Sequence, residues 1–62
     1  MGISPLDYVT QLRMAEACRR LMSSSETVAE VAKAVGYADP YYFSRLFRRR
    51  IGIPPGAYRH RS

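Results

Sequence analysis

The stretch "PYYFSRLFRRR", from Pro40 to Arg50, holds the densest set of side chains able to recognise something. Arg45, Arg48 and Arg49 carry planar guanidinium forks, which pair bidentately with phosphate oxygens or with a guanine edge as a point-charge lysine does not. Tyr41 and Ser44 add hydroxyl groups at helical spacing from them. No acid follows Asp39 anywhere in the chain: all five acids lie at or before it, and six of the ten cations lie after it. A solvated helix surface normally mixes signs to gain i,i+4 pairs. This one repels itself, and a polyanion would relieve the repulsion.

The whole chain carries a net charge of +5, and nine of its ten cations are arginine. Charge alone is compatible with nucleic acid, an acidic protein or a membrane surface. Other residue types narrow the classes. One cysteine, Cys18, excludes an internal disulfide, and with the single His60 it excludes a clustered metal site. Cys18 reads as a small core residue and His60 as part of the tail. No paired carboxylates or nucleophile–base set is present, so neither catalysis nor a cofactor is expected. No apolar run approaches the ~18 residues of a membrane span and no signal peptide is visible, so a cytoplasmic protein without membrane contact is expected. Sixty-two residues with 47% apolar content make one small globular domain.

The elements that must position the arginines are helical. Ser4-Pro5-Leu6-Asp7 reads as a cap, a first-turn proline and an acid at the positive end of a helix dipole. Strong helix formers then continue to Ser23-Ser24-Ser25. At ~100° per residue, Leu6, Met14, Ala17, Cys18 and Leu21 share one side, and Tyr8, Leu12, Ala15 and Met22 an adjoining one. Only the strip of Arg13, Glu16 and Arg20 is clearly polar. A helix this apolar is expected to pack against two bodies.

Thr27 and Glu30 form a T-x-x-E capping box ahead of Val28, Val31, Ala32 and Val35, and Gly36 ends that second helix. Asp39-Pro40 caps and starts a third, spanning 39–50, with Phe43, Leu46 and Phe47 inward. Val31, Val35, Phe43, Phe47 and Ile53 are expected to form a core with Ala17 and Leu21. Two short helices joined by a turn that begins at glycine make a helix-turn-helix pattern.

"VAEVAKAVGYADPYYFSRLFRRRIGIPPGAYR" resembles the second helix-turn-helix of AraC/XylS-type bacterial transcription regulators. The likeness rests on Ala32, Gly36-Tyr37, Tyr42-Phe43-Ser44-Arg45, Phe47-Arg48 and Gly52-x-x-Pro55-x-x-Tyr58-Arg59. Upstream, Tyr8, Arg13-Met14 and Leu21 are similar to the linker helix of that family. The phrase Gly-Ile-x-Pro-x-x-Tyr occurs at both Gly2–Tyr8 and Gly52–Tyr58. In the family each of two helix-turn-helix subdomains ends this way. The resemblance therefore implies that 1–26 is the end of a first subdomain plus the linker helix, and 27–62 the second subdomain. It implies an all-α fold: the long linker helix, a homeodomain-like three-helix unit and a short C-terminal helical turn. The remainder of the first subdomain and an effector-binding domain would belong to the parent protein.

Pro40 and Tyr41 stand where the family varies, so its target sequences do not transfer. Arg20 and Arg50-Ile51 also depart from it, at positions often apolar or aromatic. The function expected is sequence-specific binding of double-stranded DNA, with helix 39–50 in the major groove. Arg45, Tyr41, Ser44 and Pro40 would face the bases, and Arg48, Arg49 and Thr27 the backbone. Tyr42 and Leu46 are expected to pack. Arg59 has two candidate partners, Glu30 and a phosphate. The alternative is a basic helical module that contacts RNA polymerase or another acidic protein.

Overall fold

The computed structural model describes residues 4–60, so Gly2 and Ile3, the first two residues of the Gly2–Tyr8 phrase, lie outside the described residues. Four helices follow in order: α1 (Pro5–Ser23), α2 (Val28–Ala34), α3 (Pro40–Ile51) and α4 (Pro55–Arg59). No strand occurs among the described residues.

Local chemistry accounts for each helix end. The Asp7 amide donates to Ser4 Oγ at 3.2 Å, so Ser4 caps α1. At α2 both capping-box bonds are made: the Glu30 amide donates to Thr27 Oγ1 (3.1 Å) and the Thr27 amide to Glu30 Oε1 (2.7 Å). Gly36, at φ +105°, closes α2 in a left-handed turn. The Tyr37 amide reaches back to the Ala32 carbonyl at 2.8 Å and the Gly36 amide to Lys33 at 3.1 Å, the paired bonds of a Schellman ending. Asp39 caps α3 through the Tyr41 amide at 2.9 Å, with Pro40 in the first turn.

The three main helices close on one core. α1 contributes Met14, Ala17 and Leu21, α2 Val31 and Ala32, and α3 Phe43 and Phe47, with Val35 from the turn. Four rings run through it in series: Tyr37 to Phe43 (5.8 Å between centroids), Phe43 to Phe47 (5.7 Å) and Phe47 to Tyr58 (5.6 Å, edge on). Pro55, the first residue of α4, is fully buried. Cys18 is half-buried against the same core.

Three expectations are corrected. Leu6, expected on the core side of α1, is 76% exposed, because burial along α1 begins only at Met14. Ile51, in the last turn of α3, packs on the core, whereas Ile53 lies past the Gly52 cap and does not join it. Arg59 does not pair with Glu30. Its guanidinium donates to the Leu21 carbonyl at 3.2 Å and the Ser24 carbonyl at 3.4 Å. The last carbonyls of a helix lack intrahelical partners and sit at its negative end, so a cation there is doubly favoured.

The departures at Arg20 and Arg50 acquire partners. Arg20 bridges Glu16 (2.9 Å) and Glu26 (3.1 Å), fastening the end of α1 to the approach of α2. The guanidiniums of Arg19 and Arg20 hold the Glu16 carboxyl down to about 2, the Arg19 hydrogen bond contributing most. Arg50 donates to Asp7 at 3.1 Å and ties the end of α3 to the start of α1.

Candidate nucleic-acid interface

The placement of α3 follows from its two faces. Phe43 and Phe47, one turn apart, are fully buried and fix which side turns inward. The opposite side must then carry Tyr41, Arg45, Arg48 and Arg49, all exposed, with Ser44 half-buried beside them. Asp39 and Pro40 fix the start of the helix, and Gly52, at φ +106°, its end.

Arg45 is the crest of the outer face. At ~100° per residue, Tyr41, Ser44 and Arg48 fall on one flank of it and Tyr42, Leu46 and Arg49 on the other. Among the described residues, Arg45, Arg48 and Arg49 make no ion pair and no side-chain hydrogen bond, whereas Arg19, Arg20 and Arg50 are all paired. The three unpaired guanidiniums share one helix face and lie within about one turn of each other. Such a face combines point attraction for phosphates with forks that match a guanine edge.

Six of the seven residues expected at the interface therefore come together on α3: Pro40 (half-buried, first turn), Tyr41, Ser44, Arg45, Arg48 and Arg49. Thr27 stands apart, at the start of α2, where its amide donates and its hydroxyl oxygen accepts in the capping box, which leaves the O–H to donate elsewhere.

Two features were not expected. Tyr42, read as a packing residue, is 56% exposed, while Leu46 packs against the core as expected but keeps its outer edge uncovered. With Arg45 and Arg49 they line a groove of about 310 Å³ along α3. The signal was present as the spacing i, i+3, i+4, i+7 from Tyr42, which is a helix stripe of its own. The second feature is Arg13, which leaves the polar strip of α1 and lies 5.2 Å from the ring centroid of Tyr37. A Cβ at Gly36 would stand 3.3 Å from Arg13 Cζ, so the turn glycine is needed for its φ and for this close approach. Tyr37 in turn tilts against Tyr42 at 5.9 Å.

A long helix, two shorter helices around a glycine turn, and an exposed arginine face on the second of these define a helix-turn-helix DNA-binding domain. Comparison with known proteins agrees. A family model described as a helix-turn-helix domain matches residues 1–61. The MmsAB operon regulatory protein of Pseudomonas aeruginosa is 48% identical over 60 residues, covering 97% of this chain and 20% of that protein. A putative AraC-like transcription regulator of Streptomyces lividans is 41% identical over 59 residues, 95% of this chain and 19% of its own. The transcriptional activator RhaS of Pectobacterium carotovorum is 36% identical over 61 residues, 98% of this chain and 22% of its own. The crystal structure of the C-terminal domain of the two-component response regulator yesN from Fusobacterium nucleatum superposes with a TM-score of 0.92. It is 36% identical, over 95% of this chain and 57% of that one. The chain belongs to the AraC/XylS-type family of helix-turn-helix transcription regulators. It spans about one fifth of the length of these curated relatives.

Proposed function

We propose that α3 is the recognition helix of a sequence-specific transcription regulator and enters the major groove by its N-terminal half. The observation that carries this is the unpaired set Arg45, Arg48 and Arg49 on the face opposite Phe43 and Phe47. Arg45, at the crest, donates two bonds to guanine N7 and O6. Tyr41, Ser44 and Pro40, at the leading end, meet neighbouring base edges. Arg48 and Arg49, on opposite flanks, hold phosphates, and Thr27 adds a backbone contact from α2. The rival is that the same face meets an acidic surface, as on RNA polymerase.

Selection of bound sites from random duplexes tests the proposal. The expected result is a short enriched motif built around at least one guanine. Recovery of unenriched sequence, or no recovery at low salt, would leave the protein-partner reading in its place.

The proposal extends to the other side of α1. Tyr8, Leu12 and Met22 are each about half exposed, and Ala15 lies among them, so a contiguous apolar surface faces away from the described core. Isolated surface leucines are ordinary, but a continuous stripe of this kind marks an interaction surface. Residues 1–26 then serve as the end of a preceding subdomain plus the linker helix, with 27–62 as the second subdomain. Leu12→Glu is expected to change stability by less than about 0.5 kcal/mol, as surface substitutions do. It should also reduce self-association in sedimentation measurements. A stability loss of several kcal/mol in a monomeric Leu12→Glu chain would contradict the assignment.

A further inference from the structure

We infer that the groove between Tyr42, Arg45, Leu46 and Arg49 receives the C5-methyl group of a thymine lying beside the guanine that Arg45 reads. This rests on the reading of α3 as the helix that enters the major groove.

The groove combines two chemistries that seldom sit side by side on a charged helix face. Tyr42 and Leu46 supply an apolar pair one turn apart, and Arg45 and Arg49 supply guanidiniums on either side of it. Its volume, about 310 Å³, exceeds what a lone methyl group needs and accommodates a base edge with its adjoining backbone. Within the major groove the only apolar group a base presents is the thymine methyl. The flanking arginines suit the phosphates that run past that base, and neither has an acid to release. An apolar pair next to a guanine reader thus selects a methyl-bearing neighbour, whereas an unmethylated pyrimidine leaves the same surface uncovered.

The receptor is also preformed. The Tyr42 ring rests on Tyr37 at 5.9 Å, and Tyr37 is held between Phe43 at 5.8 Å and the Arg13 guanidinium at 5.2 Å. A ring already fixed in position loses little freedom on binding. The other flank offers a contrast. Tyr41 is 81% exposed and has no ring contact among the described residues, and its neighbours Ser44 and Arg48 are polar. The methyl group therefore belongs on the Tyr42 side.

The test uses the full chain and a duplex recovered by selection, with each thymine replaced in turn by deoxyuridine, which removes only the methyl. At one thymine beside a guanine, affinity should fall about fourfold, the worth of one buried methyl group. Tyr42→Ala should erase that difference while leaving the deoxyuridine duplex bound. Tyr42→Phe, which keeps the ring, should preserve it. Because Tyr42 is more than half exposed, the alanine variant should retain its helical circular dichroism. The inference is overturned if no deoxyuridine substitution matters, if its effect survives intact in Tyr42→Ala, or if selected sites have no thymine beside a guanine. Loss of all duplex binding by the unaltered chain would instead remove the recognition-helix reading, and this inference with it.

Discussion

Phe47→Ala should strip this chain of a large part of its stability, enough to lower its unfolding transition steeply or remove it. Phe47 is fully buried, with Phe43 on one side and the edge of Tyr58 on the other, at 5.7 and 5.6 Å. Truncating a buried phenylalanine to alanine costs about 3–5 kcal/mol, through lost burial and the cavity left behind. Domains of this size have roughly 3–9 kcal/mol of stability in total, at ~0.05–0.15 kcal/mol per residue. The substitution therefore removes from about a third of the stability to all of it, and α3 and α4 lose their shared anchor together. Thermal denaturation followed by circular dichroism checks this. A sigmoidal transition within a few degrees of the unaltered chain would mean that the core is not organised around this ring.

The second large effect separates a base reader from a phosphate holder. Arg45→Ala should cost about 1–3 kcal/mol on the preferred site and relax the preference at one base pair. Arg49→Ala should weaken preferred and scrambled duplexes about equally and lower the salt slope by about one unit. Both residues are exposed and unpaired, so neither change is expected to disturb the fold. Competition titrations on the two duplexes give the comparison. Indistinguishable behaviour of the two variants would mean that the crest position of Arg45 confers no special role.

The features legible in the sequence share a physical property: each is decided within a few residues. Ser4, Thr27 and Asp39 cap helices as expected because an N-cap bond spans two or three positions. Gly36 ends α2 because a Schellman turn needs a positive φ at that residue. The helical period was enough to turn Phe43 and Phe47 inward and leave Tyr8, Leu12 and Met22 exposed. What escaped was decided by tertiary geometry. Arg59 finds carbonyls 38 and 35 residues back along the chain, and Arg50 finds Asp7 43 residues back. Long cationic side chains can reach several acceptors, and only the packed arrangement selects among them. Leu6 has the right period for burial, but the core stops short of its turn. Tyr42 lies on the border between the two faces of α3, where periodicity does not say which side an aromatic takes. The gathering of Pro40, Tyr41, Ser44, Arg45, Arg48 and Arg49 needed only a correct helix boundary. Thr27 belongs to another helix, and its position beside a bound duplex is part of the proposal.

The central claim, that this arginine face binds duplex DNA, is tested most directly by the salt dependence of affinity for a selected duplex. Arg48 and Arg49, with one or two further cations, make about three or four phosphate neutralisations. The logarithm of the association constant should then fall against the logarithm of salt concentration with a slope of roughly −3 to −4. The selected duplex should bind more tightly than a scrambled one at every salt concentration. A slope near zero, or equal affinity for the two duplexes, would contradict the account.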